Sequence, residues 1–258
     1  MAAYVRLEKD GPVGVIVFDR PPANAYNLEL LKDLDVVVEQ IRDDAEVKTV
    51  VLRGNARFFS AGADIKAFTG MRAEEMTRFA LFGHETVCKL ERLPQIVIAA
   101  IEGHAMGGGL EMALACDFRF MARGAARLAV PEVKIAAVPN MGGTQRLPRL
   151  IGKTRALEML ITGKQVDAEE ALAMGLVDRV YDPEELMPKT LEFARQLAEG
   201  PTLTIAMIKK CVQEGLETSL AAGLALERET GRVFPRTEDF QEGVKAFVEK
   251  RTPVFKGR

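Results

Sequence analysis

An α/β fold, with a layered core and a mainly helical C-terminal third, is what this sequence predicts. Three observations carry that expectation. The chain opens in a strand, helix, strand order. A six-residue apolar run, Ile96–Ile101, suits a strand covered on both faces. Beyond residue 145 almost every segment has helical spacing.

Taken in order, residues 4–19 read as a hairpin, because Val5 and Leu7 alternate with polar residues before the Asp10-Gly11-Pro12 turn. Arg20-Pro21-Pro22 cannot extend it, since two prolines remove ladder donors. Asn27 can cap a helix through about 41, whose Leu30, Leu31, Leu34, Val37, Val38 and Ile41 share one face. A buried strand over 49–54 follows, and this order predicts a right-handed parallel crossover. Residues 58–66 read as a loop of small residues that a ligand can approach closely. A helix over 74–93, stopped by Pro94, leads to the central strand, a glycine turn and a helix over 110–116. Short strands over 117–121 and 127–130 precede the loop 137–144 and a basic helix over 145–151. Helices over 153–161, 167–174, 183–199, 201–214, 219–230 and 237–250 complete the chain.

With 258 residues, 48% hydrophobic and 28% charged, the chain can bury one large core. Its net charge of −2 and scattered Lys and Arg argue against nucleic acid or an anionic membrane as partner. No apolar run approaches the roughly 18 residues of a membrane span, and the first residues lack a signal-peptide pattern. Cys88, Cys116 and Cys211 are odd in number and without CxxC spacing, as expected of reduced thiols in a cytoplasmic protein. His84 and His104 have no Gly-x-Ser-x-Gly nucleophile to serve, and no His/Cys/Asp/Glu cluster has metal-ligand spacing.

The chemical anomaly is Glu111, alone in the otherwise apolar stretch Leu110 to Cys116. A buried carboxylate costs several kcal/mol unless it is paired, hydrogen-bonded or protonated. Glu132 follows a strand 21 positions later. If the two meet in an apolar pocket, their repulsion leaves one acid and one base near neutrality, as moving a proton on carbon requires. The alternative is that an Arg or Lys neutralises each separately. Two glycine-bearing segments, Ser60 to Asp64 and Met106 to Gly109, can each offer a main-chain N–H to a developing oxyanion. Close helix–strand packing explains the same glycines equally well. A phosphate cradle is weakly supported, because neither GK[ST] nor GxGxxG is present.

In combination, Ser60-Ala-Gly-Ala-Asp-Ile-Lys66, Gly107-Gly-Gly-Leu-Glu-Met-Ala113, Cys116-Asp117, Pro131-Glu132 and Gly142-Gly-Thr-Gln-Arg-Leu147 resemble the enoyl-CoA hydratase/isomerase (crotonase) family over nearly the whole chain. The resemblance implies a spiral of ββα units over 1–195 and a helical C-terminal region over 196–258. That region would build a homotrimer, often a dimer of trimers, and close the acyl-CoA pocket. The N–H groups of Ala63 and Gly108 match the family's oxyanion hole. Ala61, Asp64, Ile65 and Lys66 lie in the segment that follows the CoA moiety; Tyr26 stands where a Leu is frequent, in a stretch near which family pockets contact the nucleotide end.

Glu111 and Glu132 match the two glutamates of true hydratases, which hydrate a trans-2-enoyl-CoA to a 3-hydroxyacyl-CoA in fatty-acid β-oxidation. No cofactor is implied beyond the CoA of the substrate. The alternative within the family is an isomerase, or a hydratase of a branched or cyclic acyl-CoA. Asn140 stands where many hydratases have a glycine near the catalytic water, and Ala136 is a second such departure. Some family members bind RNA, but the acidic balance here and the lack of a basic stripe disfavour that role.

Overall fold

The structure, a computed structural model, describes residues 4–258. Strands β1 (Val5–Asp10) and β2 (Val13–Phe18) form the antiparallel edge of a six-stranded sheet. It continues in parallel through β3 (Thr49–Arg53), β5 (Ile96–Ile101), β7 (Phe118–Ala122) and β9 (Arg179–Tyr181). A second, parallel sheet stacks β4 (Phe58–Ser60), β6 (His104–Met106) and β8 (Leu128–Ala129). The first sheet holds the core, and the second positions the candidate site.

Alternation along the central strands explains how one sheet serves two apolar layers. Val50 and Leu52 of β3, with Val97, Ala99 and Ile101 of β5, join the cluster under α1 (Leu28–Asp43) and α3 (Ala73–Glu91). The intervening Val51, Ile98 and Ala100 face the other way, onto Leu186 and Ala194 of α8 (Pro183–Ala198). Both faces are therefore covered, as the unbroken apolar run predicts. Asn27 caps α1 by accepting the Leu30 N–H at 3.0 Å.

Three corrections concern short strands. Residues 58–66 are not all loop, because β4 occupies the first three; β6 lies within the expected glycine turn; and β9 interrupts the expected run of helices. Strands of three residues are too short to show a period of two, so tertiary pairing alone reveals them. The central helix, α4 (Gly108–Leu114), also starts two residues earlier than expected.

After β8 come a 3₁₀ turn (Glu132–Ile135), α5 (Gly143–Ile151), α6 (Lys153–Thr162) and α7 (Ala168–Ala173). Beyond α8 lie α9 (Thr202–Leu216), α10 (Leu220–Thr230) and α11 (Glu238–Glu249). A buried pair ties α9 to the sheet: Lys209 Nζ reaches Asp117 Oδ2 at 2.7 Å and the Gln95 carbonyl at 2.9 Å. Leu216, Leu220 and Phe247 leave 78 to 86% of their surface exposed, an unusual amount of apolar surface for three large side chains. No helix of the described residues is long and apolar enough to cross a membrane.

Candidate active site

Two backbone segments of the small sheet meet first. Beyond β4 the chain turns through Gly62 (φ +88°), and beyond β6 through Gly107 (φ +53°) into α4. A Cβ on Gly62 would stand 2.7 Å from the Met106 carbonyl oxygen, and one on Gly109 2.4 Å from that of Ser60. Only glycine permits this approach of main chain to main chain.

The contact has a consequence for N–H groups. Ala63 bridges in parallel with Tyr26, but the bonds used are Tyr26 N–H to the Gly62 carbonyl (2.8 Å) and Asp64 N–H to the Tyr26 carbonyl (2.9 Å). The Ala63 N–H therefore points away from that pairing. Gly108 is the first residue of α4, where an N–H has no acceptor within its own helix. Neither N–H has an acceptor among the described residues, so two unused donors flank one junction.

Glu111 is the fourth residue of α4 and only 2% exposed. One of its oxygens, Oε1, accepts the Met141 N–H at 2.9 Å and the Gly143 N–H at 2.7 Å. Burial pushes its pKa up, while those two donors, then Arg146 and His84, pull it down. Glu132 opens the 3₁₀ turn, and its Oε2 is buried without a hydrogen-bond partner among the described residues. Burial first, and the Glu111 charge second, raise its pKa to about 7. Neither glutamate forms a salt bridge with a described residue, so separate neutralisation by Lys or Arg is not what this structure contains. The site therefore holds two interacting carboxyls beside two free N–H groups.

A family model for enoyl-CoA hydratase/isomerase matches residues 8–258. The chain belongs to that family. It is 40% identical to the short-chain-enoyl-CoA hydratase of Clostridium acetobutylicum, with 96% of this chain and 95% of that protein covered. It is 36% identical to the crotonyl-CoA hydratase of Syntrophomonas wolfei, with 96% of each covered. Among solved structures, an enoyl-CoA hydratase of Geobacillus kaustophilus superposes with a TM-score of 0.97 at 41% identity, over 100% of this chain and 98% of that one. One from Bacillus anthracis gives 0.95 at 38% identity, over 99% and 100%. The crotonase-like α/β spiral expected from the motifs is the fold of this enoyl-CoA hydratase/isomerase family member.

The remaining sequence-derived positions scatter around this centre. The Ala61 N–H is bound to the Ala23 carbonyl at 2.9 Å, and Asp64 pairs with Arg20 at 2.8 Å. Ile65 and Lys66 are exposed at the start of α2 (Ile65–Phe68). Asn140 is exposed, and its carbonyl lies 3.3 Å from His84 Nδ1. Ala136 adopts a left-handed conformation (φ +56°), the backbone reason a glycine suits that position.

Tyr26 lies against the candidate site. Its side chain is turned inward, stacked on Phe79 at 6.0 Å, and a Cβ on Gly108 would stand 2.3 Å from its hydroxyl oxygen. Burial, then the charges of Glu111 and Glu132, raise the pKa of this phenol. The Met141 and Gly143 donors were invisible in the sequence, because a backbone N–H leaves no residue signature. Arg146 was legible as part of the Gly142 to Leu147 motif and as one charge of a basic helix, but not as a partner of the Met141 carbonyl.

Proposed function

We propose that this protein hydrates a trans-2-enoyl-CoA to a 3-hydroxyacyl-CoA. The observation that carries the reading is the unequal pair of glutamates: Glu111 held by two N–H donors, and Glu132 half-buried, with its buried Oε2 unpartnered among the described residues and a pKa raised to about 7. The N–H groups of Ala63 and Gly108 receive the thioester oxygen and stabilise the charge that gathers there as Cβ is attacked. Glu111, whose donors favour the ionised form, takes a proton from water. The water oxygen bonds to Cβ, the Cα–Cβ π electrons move toward the carbonyl, and Glu132 delivers its proton to Cα. Return of the proton from Glu111 to Glu132 restores the site, and the sum is addition of one water. Each positioned carboxyl contributes about 10² to 10⁴ in rate.

Ala61 to Lys66 provides the edge along which CoA runs, with Asn140 at the mouth. Residues 196–258 are read as the oligomerisation region, and the exposed Leu216, Leu220 and Phe247 supply surface for a homotrimer or a dimer of trimers. Free Cys88, Cys116 and Cys211 fit a reducing compartment, the cytoplasm, and the reaction is the hydration step of fatty-acid β-oxidation.

The test is loss of the conjugated enoyl-thioester absorbance on adding the protein to crotonyl-CoA, with Glu111→Gln and Glu132→Gln alongside. Rapid loss that both variants reduce by orders of magnitude supports the scheme. Persistent absorbance with retained acyl-CoA binding overturns it in favour of isomerisation or another acyl-CoA reaction.

A further inference from the structure

We propose that Arg146 is a positioning residue for Glu111, acting through the Met141 carbonyl. The proposal rests on the reading of Glu111 as a site carboxylate. Arg146 Nη1 donates to the Met141 carbonyl at 2.7 Å. That carbonyl lies between the two amides that hold Glu111, the Met141 N–H before it and the Gly143 N–H two residues on. The guanidinium is itself clamped: Nε and Nη2 donate to the two oxygens of Glu91, at 2.8 and 2.6 Å. Gly142 (φ +108°) makes the arrangement possible, because a Cβ there would collide with Arg146 Nη1. An anchor on α3 thus fixes a loop, and the loop fixes a carboxylate on α4.

The arrangement is electrostatic as well as mechanical. The charged and titratable groups facing Glu111 are Arg146 from α5, His84 from α3, Glu132 from the 3₁₀ turn and the Tyr26 phenol. Arg146 is the one permanently charged cation of the set, while Glu132 and Tyr26 offer Glu111 no positive charge. Its own neighbours are Glu91 and Cys88, whose sulfur lies 3.6 Å from Nη2. Removing the guanidinium should free the Met141 carbonyl, slacken both donors and leave the effect of burial on Glu111 less opposed. Lysine cannot span both partners, because it offers a single nitrogen rather than a fork.

The experiment compares Arg146→Met, Arg146→Lys and Glu91→Gln with the parent protein. Hydration of crotonyl-CoA is followed against pH, and the glutamate carboxyls of ¹³C-labelled protein are titrated by NMR, with Glu111 assigned by the signal missing from Glu111→Gln. Arg146→Met is expected to lose at least about tenfold in kcat, with KM less affected, and to move the Glu111 titration up by about one pH unit. Arg146→Lys should recover part of both. Glu91→Gln leaves the arginine charge uncompensated and should move the titration the opposite way.

An unmoved Glu111 titration in folded Arg146→Met overturns the proposal, as does a shift of the same sign in Glu91→Gln. If Arg146→Met does not fold, Arg146→Lys and Glu91→Gln decide on the same signs. If the parent protein hydrates no enoyl-CoA, the functional reading fails, while the NMR titration still decides the role of Arg146.

Discussion

Gly107 and Glu132 are matched in space: a Cβ at position 107 would stand 2.8 Å from Glu132 Oε1. The glycine also sits at φ +53°, where an L side chain adds strain of about 1 to 2 kcal/mol. Gly107→Ala is therefore expected to displace the Glu132 carboxyl and reduce crotonyl-CoA hydration at least about tenfold, with a measurable fall in Tm. Activity close to the parent's would show that the carboxyl has other room.

The raised Glu132 pKa carries a stability consequence whose sign is opposite to that of a salt-bridged carboxylate. Below an unfolded value of about 4.3, both states are protonated and the group is neutral in effect. As pH rises, the unfolded chain ionises first, so a destabilisation builds and is complete above about 7, the folded value. The Glu132 side chain is only half-buried, and solvent screens the penalty to the order of 1 to 2 kcal/mol. Glu132→Gln should accordingly match the parent in denaturant titrations at pH 4 and exceed it at pH 8.

Activity should respond to the same two carboxyls. If Glu111 must be ionised and Glu132 protonated, kcat/KM falls on the acid side as Glu111 gains its proton. It falls on the alkaline side as pH passes about 7, where Glu132 loses its own. The two limbs belong to the pair, and Glu132→Gln should abolish the alkaline one. A profile flat from pH 6 to 9 contradicts this assignment.

Tyr26 narrows the space beside Gly108, with its hydroxyl and the Met141 methyl both lying against that glycine. Tyr26→Leu removes the ring that stacks on Phe79 and should cost about 1 to 3 kcal/mol of stability. It should also raise the ratio of kcat/KM for hexenoyl-CoA over crotonyl-CoA several-fold. An unchanged ratio would place the acyl chain elsewhere.

Ala136 offers the converse of Gly107. It occupies a left-handed conformation just after the turn that carries Glu132, and Ala136→Gly should stabilise the protein by about 0.5 to 1 kcal/mol. Thermal denaturation measures this directly, and a lower Tm would contradict it.

How much of this was legible beforehand depends on the length of each signal. β5 announced itself through six apolar residues, α1 through one buried face and Asn27, and Glu111 by being the only charge in its stretch. Of the small sheet only β8 was expected, within a strand over 127–130; β4 and β6, three residues each, left no such trace. Glu132 was legible as a carboxylate, but its nearness to Glu111 depends on how β8 and the 3₁₀ turn sit beside α4. The inward turn of Tyr26 was not legible, because its backbone pairs with Ala63 while its side chain turns the other way, a distinction that residue order does not contain.

The free donors at Ala63 and Gly108 belong to the main chain, and their placement depends on Gly62, Gly107 and Gly109 rather than on any reactive side chain. Point substitutions at Glu111 or Glu132 leave that pair of donors standing. If Ala63 and Gly108 bind a thioester oxygen as proposed, a variant that has lost both carboxyls is expected to keep its grip on that oxygen. On that proposal the part that grips and the part that reacts are inherited separately, so the scaffold could lose one reaction without losing recognition of its ligand.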